Sequence, residues 1–381
     1  MKYYIIAGEA SGDLHGSNLV KELHKIDGKA NIRCWGGEKM ENAGATLVKH
    51  YRDLAFMGFA EVVKNLPTIL RNLKDCKKDI AAFKPDALIL IDYPGFNLRI
   101  AKWAREQGLN VIYYISPQVW AWKENRVKAI KRDVDKMLVI LPFEKAFYKK
   151  WDFEVEYVGH PLVEVIDSFK SQHATVDSEP EGISKDKPII ALLPGSRQQE
   201  ISVKLPIMLE VAREFPQYRF IVAKAPGLPV TFYDNLMKPY SNVEAVENKT
   251  YDILNRASAA LVTSGTATLE TALFEVPEVI CYKGSNISYQ IAKRLIRIKF
   301  IGLVNLIMDK EVVKELIQNN LTSQNIAAEL TLLLEDREKQ QQLKADYRAL
   351  KELLGKGGHA SANAAKSIYQ FLQKGLSEAA V

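Results

Sequence analysis

The chain has 381 residues and a net charge of +6, with 47% hydrophobic and 26% charged residues. That composition predicts a folded globular protein of two or three domains at about 150 residues each, and excludes a disordered chain. The modest positive charge suits an anionic ligand or membrane surface and is too small to argue for nucleic acid, while three widely spaced cysteines, Cys34, Cys76 and Cys281, predict neither a disulfide framework nor a zinc site and fit a reducing cytoplasm.

The opening run, Met1 to Gly8, is apolar but too short for a signal peptide, and it reads as a first strand. No run of about 18 apolar residues occurs, so any membrane contact is expected to be peripheral. In chain order, strands are predicted at Tyr3–Ala7, Ala87–Ile91, Val111–Ile115, Met137–Leu141 and Glu156–Val158. Helical spacing falls between them, as at Leu98–Gln107 and Glu144–Lys150. Continuous apolar strands alternating with helices imply a parallel sheet covered on both faces. Residues 167–187 are rich in Ser, Asp, Glu and Pro and read as a linker. The alternation then restarts at Ile189–Leu193, Arg219–Ala223, Val243–Val246, Ala259–Thr263 and Val279–Tyr282. The tail from Val312 reads as helical, ending in an amphipathic segment from Ala360 to Lys374.

The expected fold is therefore α/β, with two Rossmann-like doubly wound domains facing across a cleft. The boundaries read as 1–166, a linker at 167–187, a second domain at 188–355, and a C-terminal helix at 356–381 that returns to the first domain.

Polar clusters fall where such strands end. Gly8-Glu9-Ala10-Ser11-Gly12-Asp13 puts two glycines around a polar turn at a helix start, which suits an anion with Glu9 and Ser11 in the crevice. A tight turn capped by Ser11 or Asp13 explains the same residues. Asp92 ends an all-apolar strand, where partial desolvation raises a carboxyl pKa and suits a general base. A helix cap is the equal alternative, with Asn97 the better cap. Trp120 and Trp122 in the Ser116–Trp122 loop read first as core packing. Arg197, after Leu193-Pro194-Gly195-Ser196, is a natural phosphate partner, or a surface ion pair with Glu200.

Val262–Glu270 ends a strand in Ser264-Gly265-Thr266-Ala267 and opens a helix one turn before Glu270. That arrangement suits a diphosphate at the helix start and an acidic partner for a ribose, against the plainer reading of a capped helix with a surface glutamate. Asp133-Val134-Asp135, the lone Asp-x-Asp, lies ahead of a strand and reads as solvated charge. His160-Pro161 ends another strand, as a candidate cleft residue, and the histidines lack metal-ligand spacing, so no metal site is expected.

Together these blocks, with Leu141-Pro142-Phe143-Glu144-Lys145-Ala146-Phe147-Tyr148 and Gly159-His160-Pro161, resemble the lipid A disaccharide synthase family, from Met1 to about Gln373. The resemblance implies a GT-B fold of glycosyltransferase family 19 and a metal-independent, inverting transfer without cofactor. UDP-2,3-diacylglucosamine would be the donor and 2,3-diacylglucosamine 1-phosphate the acceptor, giving a β-1,6-linked disaccharide 1-phosphate and UDP. Asp92 would be the general base, with Glu9 and Ser11 as further catalytic positions. Arg197, Ser264, Gly265, Thr266 and Ala267 would hold the diphosphate, Glu270 the ribose, and Asn305 a further active-site position. Many relatives carry a second aspartate where this chain has Gly95, which leaves Asp92 the only carboxylate of its segment.

Acylated substrates imply a peripheral contact with the cytoplasmic leaflet of a Gram-negative inner membrane. Two segments have apolar residues at helical spacing with a basic fringe: Phe59, Val62, Val63, Leu66, Ile69 and Leu70, followed by Lys74, Lys77 and Lys78; and Ile291–Lys299 with Lys293, Arg294 and Arg297. From pattern alone an amphipathic core helix is the preferred reading of both, and the resemblance turns the first segment toward membrane contact. The quaternary expectation is a monomer or a domain-exchanged homodimer. Competing readings are a UDP-sugar 2-epimerase, which needs extra carboxylates and histidines, a peptidoglycan-type transferase with a different glycine-rich opening, and a non-catalytic nucleotide-sugar binder.

Overall fold

The computed structural model describes residues 1–54, 66–173, 187–225, 228–285, 289 and 299–379. Two compact units emerge, Met1–Pro161 with Leu354–Val381, and Leu162–Leu353. Each is built on a parallel sheet.

In the first unit, β1 (Lys2–Ala7), β2 (Asn31–Gly36), β3 (Thr46–His50), β4 (Ala87–Ile91), β5 (Val111–Tyr114), β6 (Lys136–Val139) and β7 (Glu156–Tyr157) are ordered β3-β2-β1-β4-β5-β6-β7. The central register pairs Tyr3 with Ala87 and Ala7 with Ile91, and Ile91 in turn with Tyr114. From Tyr3 to Ala7 and throughout β4 and β5 every residue is buried, because helices cover both faces. Burying each large aliphatic side chain there contributes about 1.5–3 kcal/mol. The C-terminal helix Ala360–Ala379 packs on the helix Ala10–Ile26 within this unit.

The second unit orders β8 (Ile189–Leu193), β9 (Arg219–Lys224), β10 (Val243–Glu247), β11 (Ala257–Thr263), β12 (Glu278–Tyr282) and β13 (Lys314–Ile317) as β10-β9-β8-β11-β12-β13. In both sheets the strand order reverses beside the first strand of the unit, between β1 and β4 and between β8 and β11. Ligands of open α/β sheets bind beyond the carboxyl ends of the strands at that switch point.

Three strands escape the sequence reading: β2, β3 and β13. Two of them, β3 (Thr-Leu-Val-Lys-His) and β13 (Lys-Glu-Leu-Ile), are short edge strands with charged residues, so their apolar signal is diluted as edge strands require. The tail from Val312 thus opens with β13 before its helices begin. Residues 167–173, read as linker, continue the helix Pro161–His173. Asp133 and Asp135 are not free solvated charge. Asp133 is buried and held bidentately by Arg132, and Asp135 accepts from the Val111 amide (2.9 Å) and from Arg105.

Candidate active site

The carboxyl end of β1 runs through Gly8 into Glu9, the extended N-cap of the helix Ala10–Ile26. Neither Ser11 nor Asp13 caps that helix. Asp13 is buried, and its carboxylate accepts from the amides of Gly37 (2.8 Å), Lys39 (3.2 Å) and Met40 (3.1 Å), capping the short helix Glu38–Asn42 instead. Ser11 stays exposed at the helix start.

Across the switch point, β4 ends in Asp92. Asp92 (φ 42°) and Tyr93 (φ 49°) both adopt the left-handed conformation, and so does Ile115 (φ 66°) at the end of β5. The Asp92 amide donates to the Ile115 carbonyl at 3.3 Å. Each such non-glycine residue costs about 1–3 kcal/mol and persists only when its surroundings over-determine it, which is typical of functional sites. The Tyr93 hydroxyl donates to the Leu54 carbonyl at 2.8 Å, and its ring lies against Gly8 so closely that a Cβ there would meet it at 2.3 Å. Gly8 is glycine for space, not for φ.

Burial pushes the Asp92 carboxyl up to about 7, and the negative charge of Glu9 adds to the rise. The two carboxylates, from different strands, are thus neighbours. Asn97 is not a cap. It lies inside the helix Pro94–Glu106, fully buried, and its amide donates to the backbone of β4 and Asp92.

Trp120 packs edge-on against Phe143 (4.9 Å between centroids), and Ser116 pairs with the Tyr148 hydroxyl at 2.6 Å. Glu144, wholly buried, accepts from the Leu141 amide at 2.9 Å, and burial raises it to about 7. His15 and His160 are buried neighbours, pushed down by burial to about 4 and about 3, so both are neutral near pH 7.

In the second unit, the loop after β8 turns at Gly195 (φ 118°), where an added Cβ would lie 3.7 Å from the Thr263 methyl at the end of β11. The Pro194–Arg197 and Ser264–Glu270 segments are therefore brought together. Arg197 is exposed, with Nη1 3.4 Å from Glu200 Oε1. An exposed pair of this kind contributes roughly 0–1 kcal/mol. Gly265 is the N-cap of the helix Thr266–Leu273, whose first amides have no intrahelical acceptor. The Ser264 hydroxyl donates to the Ile301 carbonyl at 3.0 Å, so its proton serves the fold.

Glu270 accepts from the Tyr251 hydroxyl at 2.9 Å, and burial raises its carboxyl. Tyr251 was missed in the sequence because no local pattern links it to Glu270.

Asn305, expected among the UDP-sugar contacts, lies on the helix Leu303–Met308. It is fully buried, its Nδ2 donates to Val313 O (2.8 Å) and Glu315 Oε1 (2.9 Å), and its Oδ1 accepts from the Val312 and Val313 amides. Its amide is saturated by the turn before β13. Of the membrane-contact residues, Phe59, Val62, Val63, Lys293, Arg294 and Arg297 lie outside the described residues. Leu66 and Leu70 are exposed on the helix Leu66–Phe83, whereas Ile69 packs against the core of the first unit. Among the described residues no helix is long and apolar enough to cross a membrane, and no group of three or more His, Cys, Asp or Glu is gathered as a metal site.

Two Rossmann-like parallel-sheet units, with polar residues clustered at both switch points, define the GT-B class of nucleotide-sugar enzymes. Solved structures of that shape include a UDP-GlcNAc 2-epimerase from Neisseria meningitidis bound to UDP-GlcNAc (TM-score 0.66, 14% identity, 98% of this chain and 100% of that one). Another is the glycotransferase of kitacinnamycin (TM-score 0.67, 13% identity, 97% and 99%). At such identities the likeness concerns the fold alone. The sequence goes further. The family profile described as lipid-A-disaccharide synthetase matches residues 3–369. The chain is 40% identical to a lipid-A-disaccharide synthase of Geobacter metallireducens over 93% of both chains, and 36% identical to one of Coxiella burnetii over 97% and 98%. The chain belongs to the lipid-A-disaccharide synthase family.

Proposed function

We propose that the chain transfers 2,3-diacylglucosamine from its UDP donor to the 6-hydroxyl of 2,3-diacylglucosamine 1-phosphate, with inversion, forming the β-1,6 disaccharide 1-phosphate and UDP. The observation that carries the mechanism is Asp92, raised to about 7 at the β1–β4 switch point beside Glu9. A carboxylate of that basicity accepts the hydroxyl proton near neutral pH, and the freed oxygen attacks the anomeric carbon. The bond from that carbon to the diphosphate oxygen breaks, and its electron pair leaves with UDP.

Arg197 and the amides at Thr266 and Ala267 meet the charge that develops on the leaving diphosphate. Glu270, held by Tyr251, accepts from the ribose hydroxyls. The reaction is read as metal-independent because the chain's lone Asp-x-Asp is occupied by Arg132, Val111 and Arg105. Leu66 and Leu70, exposed beside Lys74 and Lys78, support peripheral contact with an anionic cytoplasmic leaflet. The C-terminal helix seated on the first unit fits a monomer, or a homodimer whose partners exchange that helix.

The test is product formation from both substrates in detergent micelles with EDTA present, run beside Asp92→Asn. A disaccharide phosphate from the wild type alone, rising with pH through about 7, is expected. Turnover of a UDP-sugar without acceptor would favour an epimerase, and unimpaired transfer by Asp92→Asn would remove Asp92 from its role.

A further inference from the structure

Three left-handed residues meet at the carboxyl ends of β4 and β5, and something must hold them. The Asp92 carboxyl takes one bond from the Tyr93 backbone, within the turn itself. What holds them is the Asp92 backbone carbonyl: that oxygen accepts from the Tyr113 hydroxyl at 2.5 Å and from Asn97 Nδ2 at 2.8 Å. The Asn97 amide also lies 3.2 Å from the Ile91 carbonyl and 3.5 Å from the Ile6 carbonyl, so one NH2 group gathers the ends of β1 and β4 around the turn. Both side chains are fully buried. Burial keeps the Tyr113 phenol far above its ordinary pKa, so it stays a donor throughout the working pH range.

We propose that Asn97 and Tyr113 are positioning residues for the transfer, clamping the Asp92 carbonyl so that its left-handed turn presents the carboxylate in one orientation. The inference rests on the reading of Asp92 as the base.

Neither residue needs to touch substrate for this. A carbonyl held from two sides fixes the peptide planes flanking Asp92, and with them the direction of its Cα–Cβ bond. Misplacement of a reacting group by about 1 Å costs on the order of a hundredfold in rate. Glu9 from the turn after β1 bears on the carboxylate and raises it, and Tyr113 from β5 lies beside it, with Arg126 facing that phenol. Release of the clamp leaves Glu9 in place, and in Asn97→Ala the Tyr113 phenol as well, but opens the carboxylate to water, which lowers its pKa toward the ordinary carboxylate range.

The experiment compares full-length wild type, Asp92→Asn, Tyr113→Phe, Asn97→Ala and Asn97→Ser, reading kcat, KM for the UDP donor, the pH dependence of kcat, and thermal melting. Tyr113→Phe removes a single oxygen and keeps the buried ring, so it is the variant least exposed to misfolding. A kcat lower by about ten- to a hundredfold is expected in Tyr113→Phe and Asn97→Ala, with donor KM little changed. The ascending limb moves below the wild-type position, and Asn97→Ser, which keeps a short donor, recovers part of the rate. If Asp92→Asn is inactive while Tyr113→Phe and Asn97→Ala keep the wild-type kcat and limb, the clamp is overturned and the base stands. A fall in melting temperature with kcat and limb unchanged likewise overturns it, leaving a structural role. Full activity of Asp92→Asn overturns the base and the clamp with it.

Discussion

Gly8→Ala should cripple catalysis without replacing a charged or polar side chain. A Cβ at position 8 would lie 2.3 Å from Cγ and Cδ1 of Tyr93, where ordinary contact begins at 3.4 Å. The backbone at Gly8 cannot retreat easily, because β1 is hydrogen-bonded on both edges, to β2 and β4. The Tyr93 ring must therefore move by about 1 Å, which strains its 2.8 Å bond to Leu54 O and drags the peptide that joins it to Asp92. Displacement on that scale at a general base costs on the order of a hundredfold in kcat, or about 2.7 kcal/mol of barrier.

Steady-state kinetics with saturating donor and acceptor measure the loss, and an unchanged thermal melting temperature serves as the control for folding. The causal chain is checked by Tyr93→Ala. In that background the ring is gone, so adding Gly8→Ala should cost several-fold less than it does alone, a coupling that independent sites would not show. A folded Gly8→Ala enzyme with wild-type kcat, or strictly additive effects in the double variant, would refute the reasoning.

Arg197→Ala should lose about two orders of magnitude in kcat/KM, the typical effect of removing one donor to a developing anion at roughly 3 kcal/mol, while melting temperature barely moves because its Glu200 pair is exposed. Asn305→Ala should behave in the opposite way. It strands the Val312 and Val313 amides, lowering stability by about 2–4 kcal/mol in denaturant titration, and UDP affinity of the folded fraction should match wild type. Glu144 gives a pH signature. Its folded carboxyl is raised to about 7 from 4.5, so between those values the folded state holds a proton that the unfolded chain has lost, and stability falls as pH rises across the window. Glu144→Gln should flatten that part of the stability profile, and equal slopes in wild type and variant would count against a buried neutral Glu144.

Much of the architecture was legible in the residues themselves. All-apolar runs such as Ala87–Ile91 and Ile189–Leu193 announce buried parallel strands, because a strand covered on both faces has no polar side to display. Glycine-bearing polar turns after β1, β8 and β11 mark the crevice ends of two sheets, and their order along the chain carries the family resemblance. The edge strands β3 and β13 were hidden for the converse reason, since half of their surface faces water and their composition follows it.

What a polar residue does once buried was decided only by tertiary structure. Asp13, Asn97 and Asn305 look like cap or ligand residues in sequence. Each proves to be spent on backbone groups brought in by another strand or turn. Asp92 reads locally as cap or base in equal measure. Its rise to about 7 comes from packing and from Glu9, contributed by a strand far away in sequence that becomes adjacent only when β1 pairs with β4. Periodicity is a local property that sequence records directly, whereas desolvation and hydrogen-bond saturation depend on which distant segments the fold makes neighbours.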